Sequence, residues 1–225
     1  MNWTASIDNY CERVGTAFWA EPLNAVSNAA FIIAALVGLV IWLRSGRGDR
    51  WSGAMVAVVF VVGVGSFLFH TFANRWSSLA DVIPIAVFIY GYFALALRRF
   101  VGLSPLTTAF ATGAFLIASF ALAPFLEPLV GSSSGYVPAL LALLGIGLWL
   151  VAHRRRQGIK LVAAGIIFAA SLGWRIVDMP LCEEWPAGTH FLWHIFNAVT
   201  LGLLLIAAIR NAADRADKAA RPVAV

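Results

Sequence analysis

The chain has 225 residues, of which 61% are hydrophobic and 12% are charged, and its mean hydropathy is +0.84. So few polar residues could not cover the hydrophobic core of a soluble protein. This composition therefore excludes a soluble globular domain and indicates an integral membrane protein. The net charge of +5 does not require a nucleic-acid partner. The sequence contains no DNA- or RNA-binding motif, and basic loops at the inner face of a membrane account for the charge.

Seven apolar runs without charged residues follow one another along the chain, at roughly 22–43, 51–74, 82–97, 101–126, 128–152, 161–174 and 186–209. Most of them approach or exceed the roughly 20 residues that a helix needs to cross the hydrocarbon of a bilayer. The predicted fold is therefore an all-α integral membrane protein, a bundle of seven transmembrane helices. The opening residues MNWTASIDNYCERVG contain no apolar stretch of the kind found in a signal peptide, so none is predicted.

The clusters of basic residues lie in alternate loops of this bundle, after the first, third, fifth and seventh runs: Arg44, Arg47, Arg50; Arg98, Arg99; Arg154, Arg155, Arg156, Lys160; and Arg210, Arg215, Lys218, Arg221. The opposite segments hold Arg13 and Arg75 together with several acids. The positive-inside rule then places the amino terminus outside and the carboxyl terminus in the cytoplasm. The predicted organisation is an extracytoplasmic segment at 1–23, a seven-helix transmembrane domain at 24–209 and a cytoplasmic tail at 210–225.

Three of the four histidines lie near the ends of apolar runs. His70 closes GVGSFLFH, and His190 and His194 are four residues apart in GTHFLWHIFNAV, a spacing that places both on one face of a helix. The alternating direction of the runs brings all three to the outer end of the bundle. Neutral imidazoles are common zinc ligands, so the pattern predicts a zinc site near the extracytoplasmic face. His153, in a basic HRRR run, is predicted to be a solvated surface residue.

Two further polar residues belong to the same level of the bundle. Ser66 lies one turn before His70, and Asp81 opens the third apolar run. An ionisable residue in a membrane span is costly and indicates function, whereas a serine in a glycine-rich segment is also typical of helix packing. Arg175 and Asp178, three residues apart at the end of the sixth run, are predicted to form a structural ion pair.

Both cysteines fall on the outer side. Cys11 lies in the amino-terminal segment and Cys182 in the loop before the last run. Because they share an oxidising compartment, we expect a disulfide that ties the amino-terminal segment to this loop. The alternative is two independent thiols.

The motifs in their order resemble those of one family, the alkaline ceramidases, which belong to a wider group of seven-helix membrane hydrolases that includes the adiponectin-type receptors. The matching elements are IDNYCER, EPLNAVSN, GSFLFH, the aspartate at 81, the D-x3-C spacing from Asp178 to Cys182, and HFLWH. The resemblance implies that the three histidines bind zinc, that Asp81 holds or deprotonates the zinc-bound water, and that Ser66 assists at the metal centre.

Eukaryotic members of that family also bind calcium near the amino terminus, with acids spaced D-W-x-E-x-N and a later glutamate. Asp8, Glu12 and Glu21 are the counterparts here, but their spacing has shifted, and Arg13 brings a positive charge where an oxygen ligand is needed. Three interpretations stay open: these acids bind calcium, Arg13 replaces the ion by pairing with Glu12 or Glu21, or the acids belong to a solvated outer segment.

The predicted function is that of a membrane-embedded zinc amidohydrolase, which cleaves the N-acyl bond of ceramide or a related membrane lipid into a fatty acid and a sphingoid-type amine. Three imidazoles leave a zinc position open for water. The alternative is a heptahelical lipid receptor or binding protein with a structural metal site, which would need no acid such as Asp81. A proton-coupled transporter is disfavoured, because the ionisable residues cluster at one face and form no path across the membrane.

Overall fold

The computed structural model of the protein describes residues 2–46 and 49–220, with side chains as far as 216. Its elements are α1 (Pro22–Ser27), α2 (Ala29–Arg44), α3 (Arg50–Phe72), α4 (Arg75–Ala96), a π-helical turn (Leu97–Val101), α5 (Pro105–Val130), a 3-10 segment (Gly131–Tyr136), α6 (Val137–Ala152), α7 (Gln157–Ile176) and α8 (His190–Ala220). Within these residues the only β-type pairing is a single antiparallel bridge between Ser6 and Asn74. The all-α prediction is therefore confirmed.

Among the residues that the structure describes, six helical stretches are long and apolar enough to cross a membrane, in agreement with an integral membrane protein. The longest of them, Pro105–Ala152, contains both α5 and α6 with the 3-10 segment between them. Seven crossings require α5 and α6 to be separate spans, so the count of seven and the orientation stay predictions. Residues 210–220 of the predicted tail continue α8, while residues 221–225, and Arg47 of the first basic loop, lie outside the described part.

The helices bury small and aliphatic residues against each other and turn many large apolar side chains outward. Phe31, Val59, Leu95 and Leu205 are almost fully buried in one core. Exposed side chains on several helices, such as Phe110 and Ile166, are equally apolar. An outward apolar face is suited to lipid, which offers no polar partner for the backbone or the side chains.

The connection between α3 and α4 sets two of the predicted site residues at one level. Ala73 ends α3 in a left-handed conformation with φ of 40°. Asn74 and Ser77 then form a capping box, each side chain accepting a hydrogen bond from the other's backbone N–H, which starts α4 at once. Asp81 consequently lies in the second turn of α4. Helix α4 begins earlier than the apolar run at 82–97 that predicted it, because the charged Asp81 lies inside the helix and Arg75 stands in its first turn.

Gly65 allows α3 and α4 to touch. A methyl group at this position would collide with the carbonyl oxygen of Ala80 on α4, so the two backbones approach more closely than side chains would permit. The next residue on each helix, Ser66 and Asp81, is thereby brought to the same crossing point.

The amino-terminal segment lies across the end of the bundle that carries the histidines. Its backbone bonds to the α3–α4 corner, from Ile7 N–H to the Ala73 carbonyl at 2.7 Å. The predicted disulfide between Cys11 and Cys182 is present, with Cα atoms 5.4 Å apart. The bond closes this segment onto the loop that leads into α8.

The predicted ion pair between Arg175 and Asp178 is wrong. Asp178 accepts hydrogen bonds from the backbone N–H groups of Thr189 (2.7 Å) and His190 (2.9 Å) at the start of α8, and from that of Cys11 (3.1 Å). Free N–H groups at a helix start need acceptors and favour a negative charge, so this cap satisfies the carboxylate. Gly188, with φ of 65° and no side chain, lets the loop before α8 pass close to the Asp178 carboxylate.

Candidate metal centre

His70, His190 and His194 lie together, almost fully buried, at one end of the bundle. His70 is in the last turn of α3, and the other two are in the first two turns of α8. One ring nitrogen from each lies within 4.8 Å of the others. The sequence prediction that these three histidines meet is therefore confirmed, and in the described part of the chain they are the only such group of potential metal ligands.

Each imidazole has a buried nitrogen without a hydrogen-bond partner among the described residues: Nε2 of His70, Nδ1 of His190 and Nε2 of His194. A buried polar atom left unpaired costs free energy, and such atoms are rare in native structures. Three of them in one cluster indicate a ligand that bonds to all three. A set of three imidazoles fits zinc and leaves room for a fourth ligand.

Two of the rings are oriented by partners on their other nitrogen. Nδ1 of His70 lies 2.5 Å from a carboxylate oxygen of Glu21, and Nδ1 of His194 lies 2.7 Å from the hydroxyl of Ser27. The Ser27 hydroxyl already donates to the carbonyl of Asn24 at 2.9 Å, so it must accept from His194. Both rings thus carry a proton on Nδ1 and turn a lone pair on Nε2 toward the cluster, as in metal sites with supporting acceptors.

Arg13 and Glu21 form a buried ion pair behind His70. Arg13 also donates to the backbone carbonyl of His70 at 3.1 Å, and the amide of Asn24 donates to Glu21 at 3.1 Å. Burial alone would raise the pKa of Glu21, but the hydrogen bonds from His70 and Asn24 and the positive charge of Arg13 outweigh it and hold the pKa below its usual value. Glu21 is therefore an ionised acceptor that fixes the His70 ring.

The three acids considered for calcium do not converge. Asp8 is exposed, and both Glu12 oxygens accept backbone N–H groups at the start of α1, from Leu23 at 2.7 Å and Asn24 at 2.8 Å. Burial raises the pKa of Glu12 in spite of these bonds. Glu21 is occupied by Arg13 and His70. This geometry favours the interpretation in which Arg13 takes the place of an ion.

Ser66 and Asp81 lie beside the histidine cluster. Both side chains are buried, and they follow Gly65 and Ala80, the residues at which α3 and α4 approach each other closely. The Oδ1 atom of Asp81 has no hydrogen-bond partner within the described residues. A buried carboxylate oxygen without a partner is available for a proton or for a ligand, which is what the predicted chemistry requires.

Tyr10 is a neighbour of the cluster that the sequence did not single out. Its ring stacks on His190 with a centroid distance of 3.7 Å and tilts toward His70 at 5.2 Å. Burial raises the pKa of its hydroxyl, which stays protonated at neutral pH. Because Tyr10 is next to Cys11, the disulfide places this ring over the site.

An apolar cavity opens among α4, α5, α6, α7 and α8. Aromatic residues such as Tyr92, Phe93 and Phe115 line it, and Asn197 on α8 contributes one of the few polar groups. Tyr136 lines it too and packs on Trp193 at 5.0 Å, which lies beside His190 in α8. A lipid chain is the kind of ligand that suits such walls.

The fourth histidine is separate from the cluster. His153 is exposed just beyond α6, where its ring stacks on Trp149 at 4.0 Å. This agrees with the surface position predicted from the HRRR run.

Comparison with known proteins agrees with the family resemblance of the motifs. The model of a family described as Ceramidase matches residues 2–223. The chain is 34% identical over 96 residues to alkaline ceramidase 3 of Mus musculus, a match that covers 40% of this chain and 36% of the mouse protein. It is 26% identical over 192 residues to an alkaline ceramidase of Arabidopsis thaliana, covering 80% of this chain and 73% of that protein. Since the family model spans nearly the whole sequence, the chain belongs to the Ceramidase family.

Proposed function

We propose that this protein is a membrane hydrolase that cleaves the N-acyl amide bond of ceramide or a related lipid, releasing a fatty acid and a sphingoid-type amine. Membership of the Ceramidase family and the relatives named alkaline ceramidase support the reaction class. The observation that carries the proposal is the buried cluster of three imidazole nitrogens, which have no hydrogen-bond partner among the described residues, at the same end of the bundle as the equally unpaired carboxylate oxygen of Asp81.

His70, His190 and His194 would hold the metal, which we propose is zinc. A zinc ion bound there supplies a nucleophilic hydroxide at neutral pH and polarises a carbonyl oxygen. Glu21 and Ser27 keep the rings of His70 and His194 in the tautomer that such binding needs.

Asp81 is the proposed general base and acid. Its free Oδ1 would take a proton from the attacking water and return it to the leaving nitrogen, because an amide leaves poorly unless it is protonated. Ser66, buried at the same crossing of α3 and α4, would donate a hydrogen bond to the oxyanion of the tetrahedral intermediate. The products balance as one carboxylic acid and one amine for each water consumed.

The same free oxygen of Asp81 favours an enzyme over a receptor with a structural metal site. A structural site is closed by its own ligands and has no use for a neighbouring acid that lacks a partner. The apolar cavity beside Tyr136 would enclose a chain of the lipid substrate.

The test is hydrolysis by purified, zinc-loaded protein of a panel of N-acyl lipids in water enriched in 18O. We expect one labelled oxygen in each released fatty acid, detected by mass spectrometry, and no release after the zinc is stripped. Saturable lipid binding without any release across the panel would favour the receptor alternative.

We also propose that the chain crosses the membrane seven times, with the histidine cluster near the outer face. The cavity supports separate spans for α5 and α6. Phe115 of α5 and Leu143 of α6 both line it, together with Phe93 of α4, so the chain turns back at the 3-10 segment between the two helices. A reporter active only in the cytoplasm should work when fused after Val225, and one active only outside should work at Met1. The opposite pattern would place the cluster at the inner face.

A further inference from the structure

Arg175, at the end of α7, lies in a cage of aromatic rings next to the histidine cluster. Its guanidinium carbon is 6.0 Å from the ring centre of Tyr10, 5.4 Å from that of Tyr136 and 5.7 Å from that of Trp193. Rings at this distance favour a cation but do not neutralise it. The cage fixes the position of a positive charge at the site end of the bundle.

The hydrogen-bond partners of Arg175 are all neutral hydroxyls. It donates to Ser132 at 2.8 Å, to Ser133 at 2.9 Å and to Tyr10 at 3.4 Å. A guanidinium has five donors, so two stay without a partner within the described residues. Arg13 and Arg99, by contrast, each contact a carboxylate.

No carboxylate pairs with Arg175 in the described part of the chain. Asp178, the expected partner, caps α8. Asp81 forms no hydrogen bond or ion pair with Arg175 within the described residues. Arg175 is half-buried, and a partly desolvated cation without a counter-ion leaves its charge available to an anionic ligand. A planar guanidinium is the group best suited to bind a carboxylate or phosphate through two hydrogen bonds.

The position of Arg175 relates it to the reaction site. Tyr10 contacts both Arg175 and His190, stacked on the imidazole at 3.7 Å, and Tyr136, which Arg175 also contacts, lines the apolar cavity. An anion on Arg175 would therefore lie one aromatic ring away from the histidine cluster and next to a residue that lines the cavity.

We propose that the preferred substrates are N-acyl lipids whose amine half carries an anionic group, a carboxylate or a phosphate, which Arg175 binds. This inference rests on the proposed function, because it names the substrate class of the same site. Ceramide itself has only neutral hydroxyls on that half and would leave the charge of Arg175 unpaired. Arg175 then determines specificity and takes no part in proton transfer.

Matched substrates test the charge alone. N-palmitoylglycine and N-palmitoylethanolamine differ in a carboxylate against a hydroxymethyl group, and the phosphate ester of the latter supplies the second anion. We expect kcat/KM to favour at least one anionic lipid over the neutral one by roughly 10- to 100-fold, the range of one charge-assisted hydrogen bond. The arm that is preferred tells carboxylate from phosphate.

Three variants separate a binding role from a general effect of charge. Arg175→Gln should abolish the preference by raising KM for the anionic lipid, with little change for the neutral one, and Arg175→Lys should keep part of it. Arg75→Gln is the matched control, since Arg75 is an exposed arginine at the same end of the bundle and has no side-chain hydrogen bond in the described structure. Thermal unfolding and zinc content verify that each variant is folded.

Binding of the same lipids to metal-free protein, followed by tryptophan fluorescence, gives a readout independent of hydrolysis. Tighter binding of an anionic lipid that is lost in Arg175→Gln would support the inference even if no lipid were cleaved, in which case only the proposed function fails. Equal kcat/KM and equal binding for charged and neutral lipids would overturn the inference and leave the hydrolase standing. If Arg175→Gln does not fold, the preference of the parent protein and the Arg175→Lys variant decide.

Discussion

The two ends of the helix bundle differ in how completely their buried polar groups are paired. At the end away from the histidines, Arg99 pairs with both oxygens of Asp49 and lies 5.5 Å from the ring centre of Trp51. The indole N–H of Trp42 donates to the backbone carbonyl of Asp49 at 2.8 Å. Burial alone would raise the pKa of Asp49, but the hydrogen bonds from Arg99 and Ser52, together with the positive charge of Arg99, lower it. At this end, therefore, the charged groups of Arg99 and Asp49 have hydrogen-bond partners, and their contact joins the α2–α3 loop to the end of α4.

At the histidine end the polar groups are fixed but incompletely paired. Eight buried side-chain atoms lack a partner in the described structure, and six of these belong to this end: Asn24, Asn28, His70, Asp81, His190 and His194. The other two belong to Thr108 in α5 and Asn211 in α8. The unpaired atoms therefore concentrate at the histidine end, where three of them lie in one cluster, and this marks the site end as the one built to bind something.

The largest expected effect comes from removing a histidine of the cluster. We expect about one zinc per chain in the parent protein and a loss of that zinc in His70→Ala, His190→Ala and His194→Ala, because three protein ligands are the usual minimum for such a site. Elemental analysis of purified protein measures it, and His153→Ala is the control that should keep its metal. Full occupancy in all three variants would make these histidines packing residues.

The same substitution at the two ends separates chemistry from stability. Asp81→Asn should keep zinc but lose turnover by about 10²–10⁴-fold, because an amide cannot accept the proton. Asp49→Asn should keep turnover, since its carboxylate pairs with Arg99 far from the cluster. Ser66→Ala should lose at most the roughly 10²–10³-fold typical of one oxyanion donor. Single-turnover hydrolysis at matched zinc content measures all three, and a parent rate in Asp81→Asn would contradict the assignment of the base.

The sequence predicted the parts of the site that follow from regular spacing. The four-residue step from His190 to His194 and the alternation of apolar runs were enough to bring His70 to the same end. A spacing of three was equally clear for Arg175 and Asp178, yet it misled, because free N–H groups at the start of α8 compete for the Asp178 carboxylate. Local spacing cannot show which of two partners wins when one of them comes from a distant loop.

The residues that contact and orient the histidines could not be predicted from the sequence for the same reason. Ser27 meets His194 across 167 positions of sequence, and Tyr10 meets His190 only because the disulfide draws the amino-terminal segment over the site. The start of α4 was missed as well, since the charged Asp81 lies inside the helix and the apolar run that defined the span begins only after it. Contacts of this kind depend on how the helices pack, which periodicity does not encode.

The disulfide should affect stability at the site end without taking part in metal binding. It closes a loop of 171 residues, so Cys11→Ser should lower the free energy of unfolding by about 2–5 kcal/mol, while the zinc content stays the same. Thermal unfolding with and without reductant measures the change, and Cys182→Ser should give the same shift. Free alkylation of both thiols in the native protein would show that the bond is not formed.

The smallest expected effect is that of calcium, which should change neither stability nor turnover of the parent protein. A ligand that binds the native state raises its thermal stability by mass action, so a bound calcium would be visible as a lower unfolding temperature after chelation. Glu12 is engaged with backbone N–H groups and Glu21 with Arg13 and His70, which leaves too few free oxygens for a hard cation. Stripping zinc is the matched arm and should lower the unfolding temperature.

Arg13→Gln tests whether the arginine stands in for the ion. Removing the guanidinium leaves the buried Glu21 without its cation, so we expect lower thermal stability and weaker zinc binding through His70. Arg13→Lys should recover part of both, because it restores the charge without the second hydrogen bond to the His70 carbonyl. A calcium-dependent rise in the unfolding temperature of the parent protein would instead establish the calcium site, and an Arg13→Gln variant with unchanged stability would remove the arginine from the support of His70.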